Sequence, residues 1–329
     1  MEESIAHHII QSTHAKRIIR QETIQSLWSG YGEIFRCWLE GGQFDSVVVK
    51  HVVLPDQVNH PRGWNTDLGH QRKVKSYEVE SYWYKGLGRQ CDNDCRIPRL
   101  IFHLEQGTKT LMVFEDLNSS GFPIKKSNAT IAEIKACLLW LANFHAKYLG
   151  VKPEKLWNVG TYWHLATRPE ELQRMGDKAL KEASGGIDNY LNKAQFHTIV
   201  HGDAKLANFC FSQDEKSVAA VDFQYVGGGC GMKDVAYLLS STLDDHTFDR
   251  FEKELLAYYF EELDKALIKG NYNTEIQDVI KEWKELYLFA WVDFYRFLDG
   301  WSPGHWKINN HIIDKKKKVL DLLKLKNEK

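Results

Sequence analysis

The sequence has little that would place it in a membrane, on nucleic acid or on the secretory route. No apolar run approaches the length of a membrane span. The first seventeen residues lack the apolar core of a signal peptide, so we expect a cytoplasmic protein. The 43 lysine and arginine residues balance the 44 aspartate and glutamate residues. The resulting net charge of −1 predicts no general attraction to nucleic acid or to an anionic membrane.

Cysteine is also scarce and scattered along the chain. Of six cysteines, only Cys91 and Cys95 lie close together, and no second pair stands nearby to complete a zinc site. We therefore expect free thiols in a reducing compartment.

The remaining composition is that of an ordinary globular protein. The chain has 329 residues, of which 43% are hydrophobic and 26% charged. This length is sufficient for two lobes or domains and a sizeable core.

The most informative stretch of the sequence is residues 199–225. Two short apolar runs, 209–211 and 218–221, flank a polar turn, which predicts a β-hairpin. Asp203 precedes the hairpin, Asn208 stands five residues later, and Asp222 follows the second strand. In isolation, each of these side chains could equally be an ordinary polar turn residue.

Taken together, these side chains fit the separate parts of phosphoryl transfer. The carboxylate of Asp203 can orient a hydroxyl group and accept its proton. The oxygens of Asn208 and Asp222 are hard ligands that suit Mg²⁺. Lys205 is placed to neutralise a transferring phosphate. The stretch therefore predicts catalytic Asp203 and Lys205 beside a magnesium site.

The pattern H-x-D-x4-N followed by D-F resembles the protein-kinase-like superfamily. Its HGD form is similar to the small-molecule branch, which contains aminoglycoside phosphotransferases and choline kinases. The DFQ sequence most resembles the ecdysteroid kinase-like group of that branch. The resemblance implies an α+β, two-lobed fold, with a β-rich N-lobe over residues 1–117 and a mainly helical C-lobe over residues 118–329.

The same resemblance implies an ATP site in the N-lobe. The turn at Gly30 and Gly32 is then expected to approach phosphates, although the third glycine of a kinase loop is missing. The strand that ends in Lys50 is similar to the V-A-I-K strand, whose lysine contacts the α- and β-phosphates. Of two candidate glutamates, Glu78 and Glu80, we predict that Glu80 pairs with Lys50.

Two further groups of residues follow from the resemblance. Glu115, Asp116 and Leu117 end a strand that resembles the hinge contacting adenine. His201 and Asp234 are expected to support the site, with Asp234 bracing the backbone of the catalytic loop. An acid favoured by the helix dipole is a compatible reading of Asp234.

A substrate pocket is suggested by the aromatic-rich helix near the C-terminus. In choline kinases this region supplies an aromatic and acidic pocket for a cation, which cation–π attraction explains. By that resemblance Trp291, Asp293, Tyr295 and Asp299 are candidate pocket residues. The other interpretation is that these aromatics form a core stripe.

The predicted function is an ATP- and Mg²⁺-dependent kinase that phosphorylates a hydroxyl of a small alcohol. Three features disfavour a protein kinase. Gly202 stands in place of the HRD arginine, there is no A-P-E segment, and only eleven residues separate Asp222 from Asp234. The sequence HGDAKLAN departs from HGD-x-W-x-x-N, which makes a steroid substrate doubtful. A non-catalytic nucleotide-binding regulator and an atypical protein kinase remain alternatives, and neither the acceptor nor the oligomeric state is predicted.

Overall fold

The computed structural model describes residues 2–27, 30–54, 67–272 and 275–327. The strands in these residues are β1 (Arg17–Ser26), β2 (Gly32–Glu40), β3 (Ser46–Val53), β4 (Leu100–Gln106), β5 (Lys109–Glu115), β6 (Thr198–Val200), β7 (Phe209–Phe211), β8 (Val218–Ala220) and β9 (Gly227–Gly229). The α-helices are α1 (Glu3–Thr13), α2 (Asp67–Lys85), α3 (Ile131–Lys147), α4 (Pro169–Arg174), α5 (Lys178–Asn192), α6 (Met232–Thr242), α7 (Asp245–Lys269), α8 (Ile276–Trp301) and α9 (Asn310–Asn327).

The N-terminal region is a five-stranded antiparallel sheet in the order β1-β2-β3-β5-β4. Successive side chains of a strand point to opposite faces of the sheet. Val47 and Val49 of the central strand β3 therefore pack with Ile9 of α1, whereas Val48 and Lys50 line a cleft on the other face. This alternation places Lys50 in the middle of the sheet, facing the cleft.

The C-terminal region is mainly helical. A capping box begins α3, in which Thr130 and Glu133 satisfy each other's backbone N–H groups. Helix α3 packs against α7, and α8 packs against α4, α5, α6 and α9. Strands β7 and β8 form the predicted hairpin, with Phe209 opposite Ala220.

A cluster of buried aromatic rings joins α2 to the C-terminal region. Trp83 of α2 stacks on Phe223, with ring centroids 5.0 Å apart. Trp140 and Phe144 of α3 stack at 4.7 Å and complete the cluster. Because Phe223 follows Asp222 directly, this packing fixes the backbone that carries the predicted metal ligand.

The structure confirms the predicted α+β fold, with a β-rich N-terminal region and a mainly helical C-terminal region. The boundary between residues 117 and 118 stays a prediction. All six cysteines are free thiols, as expected. In the part of the chain that the structure describes, we find no helix whose length and apolar character would let it span a membrane.

Candidate active site

The loop that carries Asp203 leaves the short strand β6. This strand pairs with β9 through Thr198 and Val200, so the loop starts from a fixed, buried edge. The side chain of Asp203 is buried at the floor of the cleft. The loop continues through a short turn to Asn208 and enters the hairpin.

Asp234, in the first turn of α6, holds this loop through its carboxylate. The backbone N–H groups of His201 and Gly202 donate to its two oxygens at 2.6 and 2.9 Å. The Nε2 of His145 is 3.1 Å from the same carboxylate, and the hydroxyl of Tyr259 is 2.8 Å from the Nδ1 of that histidine. These contacts are buried, so the loop conformation depends on one fully enclosed carboxylate.

We expect Asp234→Ala to lower the free energy of unfolding by about 2–5 kcal/mol. The substitution leaves two backbone N–H groups buried without an acceptor, and each such group costs about 1–3 kcal/mol. Urea titration monitored by circular dichroism measures the change. Asp321→Ala on the exposed surface of α9 is the control, and equal stability of the two variants would contradict a bracing role for Asp234.

Gly202 occupies a backbone conformation that side chains rarely adopt. Its φ is +79°, and a Cβ atom built on it would lie 2.1 Å from the carbonyl oxygen of Tyr225. The HGD form of the motif thus has a steric cause in this chain, because an arginine in the second position cannot fit here.

His201 links the loop to the second strand of the hairpin. Its Nε2–H donates to the carbonyl of Val221 at 3.0 Å, and its Nδ1 accepts from the backbone N–H of Asp203 at 3.2 Å. The backbone N–H of Val221 donates in turn to the carbonyl of Asn208 at 2.9 Å. The structure therefore places Asp203, Asn208 and Asp222 side by side.

In the carboxylate of Asp203, Oδ2 accepts hydrogen bonds, whereas Oδ1 is open in the sense that it has no hydrogen-bond partner in the described part of the chain. Lys205 Nζ and Asn208 Nδ2 each donate to its Oδ2 at 3.0 Å. Its Oδ1 is buried and has no hydrogen-bond partner among the residues that the structure describes. Burial raises the pKa of Asp203, while the nearby Lys205 opposes that rise. The open oxygen is the atom that can accept a hydroxyl proton.

Asp222 has a left-handed backbone, with a φ of +69°. Non-glycine residues in this region are uncommon and concentrate at functional sites. Burial alone would raise its pKa, but Lys50, Lys205 and Lys73 hold that pKa below the ordinary value. Asp222 is therefore the more acidic of the two aspartates.

The donor set of Asn208 and Asp222 fits a magnesium ion. Asn208 uses its amide nitrogen on Asp203, at 2.8 Å from the backbone oxygen, which leaves its amide oxygen for a metal. Asp222 lines the cleft, and its Oδ1 accepts from Gln224 at 2.8 Å. No cluster of three or more His, Cys, Asp and Glu side chains forms a metal site within the described ranges. Mg²⁺ bound with a nucleotide needs only one or two protein carboxylates.

Lys50 and Glu80 form a buried ion pair across the cleft. Lys50 Nζ is 2.6 Å from Glu80 and 3.9 Å from Asp222 Oδ1. Burial raises the pKa of Glu80, and the charge of Lys50 counteracts that rise. Glu78 is exposed on the opposite face of α2. The structure therefore pairs Lys50 with the glutamate that we selected.

The expected approach of Gly30 and Gly32 to phosphates stays a prediction, and the structure shows the backbone conformation of the two glycines. Gly30 and Gly32 both have positive φ, and a Cβ on Gly32 would lie 2.0 Å from the carbonyl oxygen of His51. Gly32 is thus required by the packing of β2 on β3. Leu27 and Tyr31 of the same turn line the cleft, while Ser29 lies outside the described residues.

The two acidic side chains of the predicted hinge form ion pairs with arginines of the same chain. Glu115 pairs with Arg96 at 2.5 Å, and Asp116 pairs with Arg36 at 2.6 Å. Leu117 packs against the hairpin. All three hinge residues line the cleft. The backbone N–H of Glu115 and the carbonyls of Asp116 and Leu117 already make hydrogen bonds within the protein, so their contact with adenine stays a prediction.

The cleft between the sheet and the helical region has a volume of about 910 Å³. Lys50, Asp203, Asn208 and Asp222 all line it. This volume lies in the range of small-molecule and cofactor sites.

The four candidate pocket residues of α8 are not in this cleft, so that expectation is corrected. Asp293 accepts from Trp163 Nε1 at 3.0 Å and pairs with Arg296 inside the helical core. Asp299 accepts from the backbone N–H groups of Gly176 and Asp177. The two aromatics, Trp291 and Tyr295, are likewise buried against helices.

The sequence reasoning predicted Lys50 and Lys205 at the site but missed a third lysine, Lys73. Lys73 Nζ donates to Gln224 Oε1 at 2.7 Å, and Gln224 donates to Asp222. Burial lowers the pKa of Lys73 to about 8. Lys73 stands seven residues, or about two helical turns, before Glu80, so the two side chains lie on the same face of α2. This spacing could have identified Lys73 as a residue of the site.

The sequence reasoning also missed most of the wall beside Asp203. This wall is formed by Arg72, Tyr162, Arg168, Tyr225, Tyr237 and Trp301. Apart from Arg72, these residues belong to the C-terminal region: Tyr237 lies in the middle of α6, and the others lie in loops or at helix ends. No motif marks them, because tertiary packing alone brings them to the cleft.

The model of the Ecdysteroid kinase-like family matches residues 154–272. No curated protein matches the chain. One similar solved structure is the aminoglycoside phosphotransferase APH(3'')-Id from Streptomyces rimosus in complex with ADP and streptomycin. It is 14% identical, covers 88% of this chain and 100% of its own, and has a TM-score of 0.49. Another is the choline kinase LicA from Streptococcus pneumoniae, which is 13% identical, covers 98% of both chains and has a TM-score of 0.48.

The family match spans the catalytic loop, the hairpin and Asp222. It therefore includes the motif that carries the resemblance. The resemblance is thereby confirmed, and over residues 154–272 the chain is similar to the ecdysteroid kinase-like family.

Proposed function

We propose that the protein is an ATP-dependent kinase that transfers the γ-phosphate to a hydroxyl of a small alcohol. The observation that carries this proposal is the shared cleft. Lys50 from the sheet, Asp203 and Asn208 from the catalytic loop, and Asp222 from the hairpin line it together. The family match over residues 154–272 supports the same class of reaction.

The sheet side of the cleft is proposed to bind the nucleotide. Lys50, held by Glu80 at 2.6 Å, presents its ammonium group toward the α- and β-phosphates. The adenine would contact the segment of Glu115, Asp116 and Leu117 through backbone groups that make no hydrogen bond within the protein, because the two acidic side chains are ion-paired. These roles are proposals for this chain.

Asn208 and Asp222 would hold Mg²⁺ through oxygen atoms. When bound, the ion would neutralise part of the negative charge of the phosphates. Gln224 Nε2 donates to Asp222 Oδ1 at 2.8 Å, and Lys73 Nζ donates to Gln224 Oε1 at 2.7 Å. The aspartate is thus oriented before any ligand arrives.

Asp203 would position the acceptor hydroxyl and take its proton through the open Oδ1. Lys205 and Asn208 fix the other oxygen, so the carboxylate cannot turn away from the acceptor. Lys205 also places a positive charge where the phosphate passes. Alignment and charge stabilisation would supply most of the rate enhancement.

We expect Lys205→Met to move the acid limb of the pH profile of kcat/KM to higher pH. Asp203 must be ionised to accept a proton, and burial already raises its pKa. Lys205 opposes that rise, so its removal raises the pKa of Asp203 further. Lys205→Arg keeps the charge and should leave the limb close to its wild-type position.

The measurement is the initial rate across pH for wild type and both variants. A limb that stays in place or moves to lower pH in Lys205→Met would contradict the assignment of Asp203 as the base. The position of the limb is the readout, because the absolute rate also falls when a phosphate-facing charge is lost.

The proposed function is tested by ADP release from Mg-ATP with and without a panel of alcohols. Release that requires an added alcohol supports the kinase. ATP binding without release supports a nucleotide-binding regulator. Phosphate that appears on protein supports an atypical protein kinase.

A further inference from the structure

We propose that Lys73 is a phosphate-binding residue, whose ammonium group donates directly to the phosphate chain of the nucleotide beside Asp222. This inference rests on the proposed function, because it adds a contact to the nucleotide site of the same cleft. It gives α2 a role in binding the ligand, in addition to the hydrogen bond between Lys73 and Gln224.

One face of helix α2 lines the cleft. Lys73, Tyr77 and Glu80 follow one another at spacings of four and three residues, so their side chains lie on the same face of the helix. All three line the cleft together with Lys50 of β3. Lys75, two residues further along, is exposed on another face of α2. Lys73 is therefore a cleft residue and not a surface lysine.

The ammonium groups of Lys73 and Lys50 lie over the same aromatic ring. The Nζ of Lys73 is 4.6 Å from the ring centre of Tyr77, and the Nζ of Lys50 is 5.6 Å from it. The ring of Tyr77 is in turn 5.8 Å from that of Tyr31, which belongs to the predicted glycine turn. Lys73 thus lies at the end of the cleft where the phosphates are proposed to bind.

Both lysines also approach one oxygen of Asp222. Lys50 Nζ is 3.9 Å from Asp222 Oδ1. Lys73 reaches the same oxygen through a single amide group, since its Nζ donates to Gln224 Oε1 at 2.7 Å and Gln224 Nε2 donates to Asp222 Oδ1 at 2.8 Å. Asp222 is the proposed metal ligand, so the phosphates of a metal-bound nucleotide would lie next to both ammonium groups.

Lys73 has no carboxylate partner among the described residues. Its Nζ makes no ion pair there, and its hydrogen bond goes to a neutral amide. Lys50 differs, because Glu80 pairs with it at 2.6 Å. Lys205 likewise pairs with Asp203 at 3.0 Å. An ammonium group has three N–H donors, so Lys73 keeps two of them for a ligand.

Burial makes the lack of an acidic partner costly for Lys73. Burial lowers its pKa to about 8, and the charge of Asp222 is the largest influence that opposes this change. A charge taken out of water is stabilised when an opposite charge donates or accepts a hydrogen bond with it. A phosphate group is the kind of ligand that would supply this partner in a nucleotide site.

The glycine turn offers less to phosphates than a complete kinase loop. Where such a loop has its third glycine, this chain has Phe35, whose side chain is buried in the core of the sheet. Phe35 is also paired with Val49 of β3, inside the ladder of β2 and β3. Lys73 would supply, from α2, a phosphate contact that this part of β2 does not provide.

The test measures nucleotide affinity in the absence of metal ions. Binding of ATP, ADP and adenosine in EDTA is followed by calorimetry for wild type, Lys73→Met and Lys73→Arg. We expect Lys73→Met to bind ATP and ADP about tenfold more weakly, the effect of one charge-assisted hydrogen bond, with adenosine unchanged. Lys73→Arg keeps the charge and the donors, so it should restore most of the lost affinity.

Lys75→Met, on the exposed face of α2, is the matched control and should change none of the three affinities. A second measurement needs no variant, so it stands even if Lys73→Met folds poorly. Wild type is acetylated with an N-hydroxysulfosuccinimide ester in EDTA, and the modified lysines are identified by mass spectrometry. We expect ATP, but not adenosine, to protect Lys73, and neither compound to protect Lys75. Equal modification of Lys73 with ATP and with adenosine contradicts the contact.

The metal-free condition separates a direct phosphate contact from an effect on Asp222. If Lys73 acted only by orienting Asp222, Lys73→Met would weaken binding of Mg-ATP and leave the metal-free affinities unchanged, which overturns the inference. An equal loss for adenosine also overturns it, because the variant would then disturb the whole cleft. If wild type and Lys73→Met bind ATP equally well, this contact is wrong and the proposed kinase stands. If wild type binds no nucleotide, the proposed function fails, and this inference fails with it.

Discussion

Replacing Asp203 with asparagine is expected to lower the rate of phosphate transfer by about 10²- to 10⁴-fold, the usual contribution of a general base. Asparagine keeps the shape of the side chain and an acceptor for Lys205. It cannot take a proton from the acceptor hydroxyl. Because the nucleotide side of the cleft is untouched, binding of Mg-ATP should stay close to that of the wild type.

The matched control for this variant is Asp321→Asn, on the exposed surface of α9. It makes the same chemical change away from the cleft and should keep wild-type activity. Single-turnover rates and nucleotide affinity are compared for the three proteins. A rate for Asp203→Asn within a few-fold of wild type would remove Asp203 from the chemistry.

The second large effect is expected at Asp222. Asp222→Asn should slow transfer by about 10²- to 10³-fold, which corresponds to about 3–4 kcal/mol. Activity should also require a higher concentration of Mg²⁺. Asparagine tolerates the left-handed backbone of this residue, where φ is +69°, and can still accept from Gln224. The loss therefore reports on charge and not on backbone strain.

The measurement is the rate as a function of Mg²⁺ concentration at fixed ATP. Asp214→Asn, in the exposed turn of the hairpin, changes the same residue type and should leave the curve unchanged. If Asp222→Asn shows the wild-type requirement for Mg²⁺, another group must hold the metal.

The proximity of Asp203, Asn208 and Asp222 could be predicted from the sequence because it depends on local geometry. Asp203 and Asn208 are five residues apart, on one loop. The hairpin pairs Phe209 with Ala220, so its ends must return to the same place. The hairpin therefore brings the backbone next to Asp222 close to Asn208, where the N–H of Val221 donates to the carbonyl of Asn208.

Local geometry was not sufficient to predict the ion pair of Lys50 and Glu80. Lys50 follows a run of valines, and the alternation of the strand sets its face. The choice of Glu80 over Glu78 came from resemblance, and the structure shows its physical basis. Glu80 is buried beneath the sheet, whereas Glu78 lies on the solvent side of α2.

The orientation of α8 could not be predicted in the same way. Aromatic residues occur on several faces of this helix, so periodicity does not select the side that meets the cleft. The side chain of Asp293 is turned into the core by Trp163, which is 130 residues away in sequence. Only the helix end, at Trp301, reaches the cleft.

Most of the wall beside Asp203 was missed for a related reason. Arg168 and Tyr162 lie in a loop region without a recognisable motif, and Arg72 comes from a helix almost a hundred residues earlier. Their proximity depends on the docking of α2 against the C-terminal region through Trp83 and Phe223. Sequence spacing carries no record of such a contact.

The most direct test of the proposed kinase is the transfer of labelled γ-phosphate from Mg-ATP to a panel of hydroxylated metabolites and antibiotics. Wild type and Asp203→Asn are assayed together, and the small-molecule fraction is analysed for labelled product. We predict a phosphorylated alcohol with wild type that falls by at least about a hundredfold in the variant. Absence of Mg-ATP binding together with absence of any labelled product would contradict the roles assigned to Lys50, Asn208 and Asp222.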